Sequence, residues 1–377
     1  MAELILVLSA FGIVFTYAGY PLLIAALARL RPRPVRRAAQ DADTTLVMVA
    51  FNEEQRIGEK IRNCLAQTYP PGRLRLLVAS DGSDDGTAAI VGGFPPDRVE
   101  LLEFAERRGK AACLNDAVAA STGEFLVFCD VRQTLDASAV ASLLENFADP
   151  EVGAVSGELT FRDDSISDFG EGVDAYWRYE KFIRQNEAHF ASVVGVSGAL
   201  YAMRRSLWRP IPDSTILDDV LIPMNVVMQG YRVVFDPRAI AWDRPSVAAA
   251  DEKRRKVRTL AGNFQLLAQH PRLLLPWRNP ILLQLLCHKV LRLLVPALML
   301  LALASNAWLA PRSLFWTALL AAQIGIHGLA IAGLFWPSLC RWRPIRLLVA
   351  FYQLNSFVVL GLVEFLCNRD AHRWRSR

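Results

Sequence analysis

Between Thr44 and Asp130 the chain repeats one pattern. A short apolar run stops at a polar, acid-bearing loop, and a segment of helical period follows. The runs are LVMVA before FNEE, LLVAS before DGSDDGT, and EFLVFC before Asp130, with RRGKAACLNDA ahead of the last. Strands are expected at Thr45–Phe51, Leu74–Ala79, Val99–Phe104 and Phe125–Cys129, and helices at residues 54–66 and 109–120. Such alternation predicts a mainly parallel, three-layer α/β sheet. In sheets of this kind ligands bind beyond the carboxyl ends of the strands, where these acids collect.

The rest of the chain is unusually apolar: 53% of its 377 residues are hydrophobic, and mean hydropathy is +0.24. The excess is concentrated in Leu4–Leu27, Val290–Leu309, Leu314–Trp336 and Leu347–Leu366, each long enough to span a bilayer. Arg29, Arg31, Arg33, Arg36 and Arg37 follow the first run and no basic stretch precedes it, which favours a retained anchor over a cleaved leader. The positive-inside rule then places the N-terminus outside and the next domain in the cytoplasm. The formal net charge of +5 sits beside the apolar runs, so it reads as membrane-flank charge and not as a nucleic-acid surface. Six scattered cysteines without a CxxC pair point to a reducing compartment and no structural zinc. The expected organisation is an anchor at 1–30, a linker at 31–43, an α/β domain at 44–250, interfacial helices at 251–289, three spans within 290–366 and a basic tail at 367–377. Three spans place the tail arginines Arg369, Arg373, Arg375 and Arg377 outside, against the rule, so either the tail is an exception or one span is re-entrant.

Beyond Asp130 the pattern loosens. A helix is expected at residues 137–147, strands at Val152–Phe161, Val193–Met203 and Arg232–Phe235, and a helix opening on two acids at Asp218–Gln229. Tyr176, Trp177, Tyr179, Phe182 and Ile183 recur at helical spacing in Val173–Ala188, as in an aromatic helix packed on the sheet. In Asp251–Ala268 an apolar stripe of Val257, Leu260, Phe264 and Leu267 opposes Lys253, Arg254, Arg255, Lys256 and Arg258. That amphipathic basic pattern suits a membrane surface, and Trp277 suits an interfacial anchor.

Several acids have chemistry open to them. Asp81 ends a strand, and glycines at 82 and 86 permit a tight turn after it. Its carboxylate can accept from a nucleobase N–H, while Ser83 or Asp84 can cap the helix that starts near Asp85. A calcium loop is excluded by the acid spacing, with Gly92 where a closing Glu would be needed. Lys110 follows Gly109 without the spacing of a phosphate-binding loop, yet can face a diphosphate as a point charge. Asp130 can hold a divalent cation, although Arg132, two residues on, would repel it. Asp218 and Asp219 favour a helix N-terminus by ~0.3–1 kcal/mol each, and an Asp in a cleft can also act as a general base.

Together these residues resemble the family 2 glycosyltransferases, which have a GT-A nucleotide-sugar fold, here flanked by transmembrane helices. The likeness runs from about Leu46 to Gly262. AFNEE, with Ala50, Asn52 and Glu53, resembles the family's opening nucleotide-binding motif. DGSDDGT is similar to its base-binding loop, with Asp81 on the base. GKAACLNDA, with Lys110, resembles its Gly-Lys-x-x-x-Leu-Asn segment. Asp130 matches the first Asp of D-x-D, and LDDVLIP matches the acidic motif whose base would be Asp219. The chain departs from the pattern at Arg132, where a second Asp is usual. It departs again after Lys256, where Arg258 fits the Gln-x-x-Arg-Trp motif of processive synthases but Gln and Trp are missing. The missing Trp argues against a long-chain synthase of the cellulose or hyaluronan type.

The resemblance implies an inverting, membrane-bound, polysaccharide synthase-like enzyme. By family habit it would use a UDP-sugar, a divalent cation (Mg or Mn) at Asp130, and a lipid-linked or polysaccharide acceptor. Lys110 and Arg258 would help to offset the diphosphate charge. A bacterial inner membrane with the catalytic domain in the cytoplasm is implied. The alternatives are transfer on to a polyprenyl phosphate and, from another class, a non-catalytic nucleotide-sugar-binding subunit of a synthesis and export complex.

Overall fold

The structure is a computed structural model that describes residues 1–161, 170–243 and 249–368. In chain order its elements are α1 (Ala2–Leu30), β1 (Thr44–Ala50), α2 (Ile57–Leu65), β2 (Leu74–Asp81), α3 (Thr87–Gly92), β3 (Val99–Phe104), α4 (Lys110–Ala120), β4 (Phe125–Cys129), β5 (Thr134–Leu135), α5 (Ala139–Leu144), β6 (Val152–Phe161), α6 (Gly170–Phe190), β7 (Leu200–Arg204), α7 (Asp218–Val227), β8 (Arg232–Asp243) and α8 (Ala249–Gln269). Three long helices follow: α9 (Leu282–Arg312), α10 (Leu314–Phe335) and α11 (Arg343–Cys367).

Among the described residues one eight-stranded sheet runs in the order β3-β2-β1-β4-β7-β6-β8-β5. β3, β2, β1 and β4 are parallel, as their helical crossovers require. β7 then pairs antiparallel with both β4 and β6. β1, β2 and β4 read as near-continuous apolar runs because both faces are covered; Leu46, Val47, Met48, Val78, Leu126 and Val127 are all buried, whereas β3 lies at the sheet edge and exposes Glu100 and Glu103. The parallel register leaves Ala50 beside Ser80, so the loops after β1 and β2 emerge side by side.

Several sequence expectations are corrected. The expected strand at Val193–Met203 begins only at Leu200 and runs to Arg204; the preceding GVSG segment is a loop wrapped on α7, where the Val196 N–H donates to the Asp219 carbonyl at 2.8 Å. β8 continues to Asp243. α6 does touch the sheet, through Trp177 edge-on to Phe161, but it also packs on α1: Tyr179 Oη donates to the Tyr17 carbonyl at 3.1 Å. The side chain of Tyr176 and the arginines of the tail lie outside the described residues.

Among the described residues four helices, α1, α9, α10 and α11, are long and apolar enough to cross a membrane. α9 starts at Leu282 and not near Val290. Within the fold His288 and Arg292, near its start, meet the carboxylates of Glu180 and Glu187 on α6. The basic helix α8 has a partner within the chain. Its apolar stripe lies against α11: the Phe264 and Phe365 rings stack at 6.4 Å, and a Cβ on Gly361 would lie 2.6 Å from the Leu260 Cβ. That approach leaves no room for a side chain. Gly361→Leu is therefore expected to prise α8 from α11 at a cost of about 1–3 kcal/mol, read as a lower melting temperature in detergent.

Candidate active site

The loops after β1 and β2 interlock. Asn52 adopts a left-handed backbone, φ 53°, and its side-chain amide donates to Asp84 Oδ1 at 2.6 Å while accepting from the Asp84 N–H at 3.1 Å. The Glu53 N–H donates to Thr87 Oγ1 at 2.8 Å, and burial pushes the Glu53 carboxyl up. Asp85, not Ser83 or Asp84, supports the start of α3, accepting from the Thr87 N–H at 2.9 Å. Ser83 instead accepts from the Asn52 N–H at 3.2 Å.

Asp81 is 2% exposed. Its carboxylate accepts from the Arg108 N–H at 2.6 Å and the Gly109 N–H at 3.1 Å. In this conformation it therefore organises the loop that delivers Lys110, and its oxygens are engaged within the chain. The loop approaches closely because Gly82, at φ +64°, has no Cβ; one would lie 2.6 Å from the Arg107 nitrogen. Arg107 lies over the Phe51 ring, 3.8 Å from its centroid.

The remaining expected residues converge. Lys110 opens α4, and its Nζ lies 3.0 Å from Asp130 Oδ1, at the end of β4, and 3.3 Å from Asp218 Oδ2, at the start of α7. Burial alone would lower the lysine pKa, but Asp130 and Asp218 outweigh it and keep the ammonium charged. Asp219 adjoins the GVSG loop, where a Cβ on Gly198 would sit 3.8 Å from Asp219 Oδ2. Burial and the neighbouring Asp218 push the Asp219 carboxyl up to about 6, against the pull of Lys110, Lys289 and Arg184. Arg258 on α8 feels Asp218, Asp219 and Asp130, although burial outweighs them and lowers its pKa.

The structure thus joins Lys110, Asp130, Asp219 and Arg258 in one electrostatic cluster. Ala50, Asn52, Glu53 and Asp81 stand in the adjoining loop frame. Sequence reasoning did not pair Lys110 with Asp218. Its signals were there, an acid doublet opening a helix and a lysine opening another, but they lie 108 positions apart. Arg184 and Lys289, which act on Asp219 from α6 and α9, carried no motif at all.

Arg132 does not oppose a cation at Asp130 as expected. Its guanidinium donates to Asp243 on β8, which also accepts from Gln133 Nε2 at 3.0 Å. Among the described residues no three His, Cys, Asp or Glu are grouped to hold a metal. Mg²⁺ is typically held by one or two carboxylates together with substrate phosphates and water. Asp130, partly exposed and with Asp218 close by across Lys110, fits that donor set.

A mixed α/β sheet with acids at its strand ends, joined to four long apolar helices, defines the class: a GT-A domain of the membrane-associated kind. The sequence matches the family described as "Glycosyl transferase family 2" over residues 45–210 and "Glycosyl transferase family group 2" over residues 129–356. The chain belongs to the family 2 glycosyltransferases and is an enzyme of that kind. It is similar to the poly-beta-1,6-N-acetyl-D-glucosamine synthase of Staphylococcus aureus, with 23% identity over 228 residues, 59% of this chain and 55% of that protein. The protein of that name from Staphylococcus epidermidis is 22% identical over the same shares. The chain therefore spans about half the length of these relatives. Among solved structures, a mannosyltransferase from Pyrobaculum calidifontis in complex with GDP-Man and Mn2+ superposes with a TM-score of 0.71, at 25% identity, over 98% of this chain and 99% of that one.

Proposed function

We propose that the chain transfers a sugar from a nucleotide sugar, UDP-linked in the first instance, to an acceptor hydroxyl, with inversion at the anomeric carbon. The observation that carries this reading is Asp219. It is a buried carboxyl raised to about 6, beside the Lys110, Asp130 and Asp218 cluster. A base of that pKa is ionised at neutral pH and still accepts a proton readily. Asp219 takes the proton of the acceptor hydroxyl as its oxygen attacks C1, and the nucleoside diphosphate leaves from the opposite face. Lys110 and Arg258 offset the charge that grows on the leaving group. Asp81 and the Ala50, Asn52 and Glu53 loop form the wall for the base. Asp130 would hold a divalent cation together with the donor diphosphate, and the cation's contribution is charge neutralisation. The Pyrobaculum enzyme's Mn2+ and GDP-Man support cation use and bring GDP-sugars into the donor range.

The acceptor is lipid-linked or a growing saccharide, presented at a membrane by the four apolar helices. The cytoplasmic face of a bacterial inner membrane suits the arginines that follow α1. Residues 44–250 form the catalytic domain, with α8 bracing it on α11. A second reading, transfer on to a polyprenyl phosphate, is favoured by Arg184 and Lys289, two cations that act on Asp219.

Membranes carrying the protein, given labelled UDP- and GDP-sugars with Mg²⁺ or Mn²⁺, are expected to yield a lipid-extractable or polymeric labelled product that is lost with EDTA. An acid-labile, single-sugar lipid product would select the phosphate acceptor. No transfer from any nucleotide sugar would overturn the reading.

A further inference from the structure

Tyr201 of β7 stands opposite Phe128 of β4 and stacks on its ring, centroids 4.6 Å apart at 15°. Phenylalanine would stack as well, so the hydroxyl needs its own explanation. The residue is 2% exposed, and its phenol oxygen is buried with no hydrogen-bond partner among the described residues. An unpartnered buried hydroxyl is costly, and one that persists marks a place where a partner is supplied from outside the chain.

Tyr201 lines the same cleft as Lys110, Asp130 and Asp218, with Val47, Val49 and Leu114 as apolar wall. Asp218 Oδ2 in that cleft is also buried without a hydrogen bond; Lys110 Nζ is within ion-pairing distance at 3.3 Å but is not aligned to donate to it. Two groups that lack a hydrogen bond therefore line one cleft, a phenol that donates and a carboxylate that accepts. A diphosphate oxygen accepts from the phenol but has no proton to donate to the carboxylate. A hydroxyl satisfies both at once. Asp218 adjoins the base Asp219, which places the pair beside the reacting carbon and not at the nucleobase end.

We propose that Tyr201 and Asp218 together read one hydroxyl of the transferred sugar, accepting from Tyr201 Oη and donating to Asp218 Oδ2, and so set donor specificity. Burial and the carboxylates around it keep the phenol protonated, as a donor must be. The inference rests on the nucleotide-sugar reading above and deepens it.

Tyr201→Phe is the test, because it removes the hydroxyl and leaves the stacking. UDP-GlcNAc, GDP-mannose and their monodeoxy analogues are the probes, titrated calorimetrically against the full chain in detergent. The variant is expected to melt at or above the wild-type temperature, since no internal bond is lost, and to bind the accepted donor about tenfold more weakly, the ~1.4 kcal/mol of one hydrogen bond. One deoxy analogue is expected to bind wild type weakly and to lose no further affinity in the variant. In turnover the KM for donor should rise more than kcat falls. Equal donor affinity of variant and wild type, or discrimination against every deoxy analogue retained by the variant, overturns this inference alone. Failure of wild type to bind any nucleotide sugar overturns the donor reading, and this inference with it.

Discussion

Asp219→Asn is expected to lower sugar transfer by about 10²–10⁴-fold, the usual contribution of a general base, while nucleotide-sugar binding persists. The substitution keeps the size and hydrogen-bonding shape of the side chain, so the GVSG loop that donates to the Asp219 carbonyl through Val196 stays in place. What disappears is the proton acceptor. The pH profile separates this from a binding defect. With its carboxyl near 6, wild type should lose rate about tenfold per pH unit well below that value and level off above it, and the residual activity of the variant should lack this limb. The sign for stability is the opposite. A folded pKa above the unfolded one means the folded state holds the proton more tightly, so that contribution is full at low pH and is lost as pH rises through about 6. Asparagine carries no such charge, so the variant should melt higher than wild type at pH 7.5. Full activity in the variant would remove Asp219 from the base role, and a lower melting temperature would contradict its electrostatic account.

How far the molecule can be read from its sequence follows from which interactions are local. β1, β2 and β4 were legible because each is a short apolar run stopped by Asn52, Asp81 or Asp130, and a strand buried on both faces needs such a run. The frame around Asp81 was half legible. Its turn glycines announced a tight loop, but not that the carboxylate would be taken up by the N–H groups of Arg108 and Gly109. β5, two residues paired with the C-terminal end of β8, has no periodicity to read. The GVSG loop read as strand because its valines alternate with small residues, yet its conformation is set by α7. Charged positions did not announce their partners. The amphipathic pattern of α8 suits a membrane surface but could not show that α11 covers its apolar stripe, and nothing in sequence paired the basic start of α9 with the carboxylates of α6. Such partners are long-range in sequence, and spacing rules reach only neighbours.

The second large effect is expected where α6 meets the membrane helices. The two ring nitrogens of His288 on α9 face two carboxylates of α6, Nδ1 at 2.8 Å from Glu187 Oε1 and Nε2 at 3.0 Å from Glu180 Oε2. Tyr20 of α1 donates to the same Glu187 oxygen, and Arg292 of α9 donates to Glu180 Oε1. Burial pushes the Glu180 carboxyl up, but Arg292 and His288 outweigh it and hold it well below the usual carboxylate range. Glu180→Ala takes the carboxylate from both and leaves their charge and polarity buried, a change that typically costs ~3–5 kcal/mol. A marked fall in melting temperature is expected, smaller for Glu180→Gln, which keeps the volume and one acceptor. A catalytic consequence should accompany it. Lys289 follows His288 on the same helix and is one of the cations that pull the Asp219 carboxyl down. If the network holds α9 in place, loosening it weakens that pull, and the acid limb of the rate profile should move above 6 in Glu180→Ala. An unchanged melting temperature would mean the cluster does not fasten the helices. A lower melting temperature with the acid limb unmoved would confine the cluster to architecture. A joint shift would show that the membrane helices tune the Asp219 carboxyl at the start of α7.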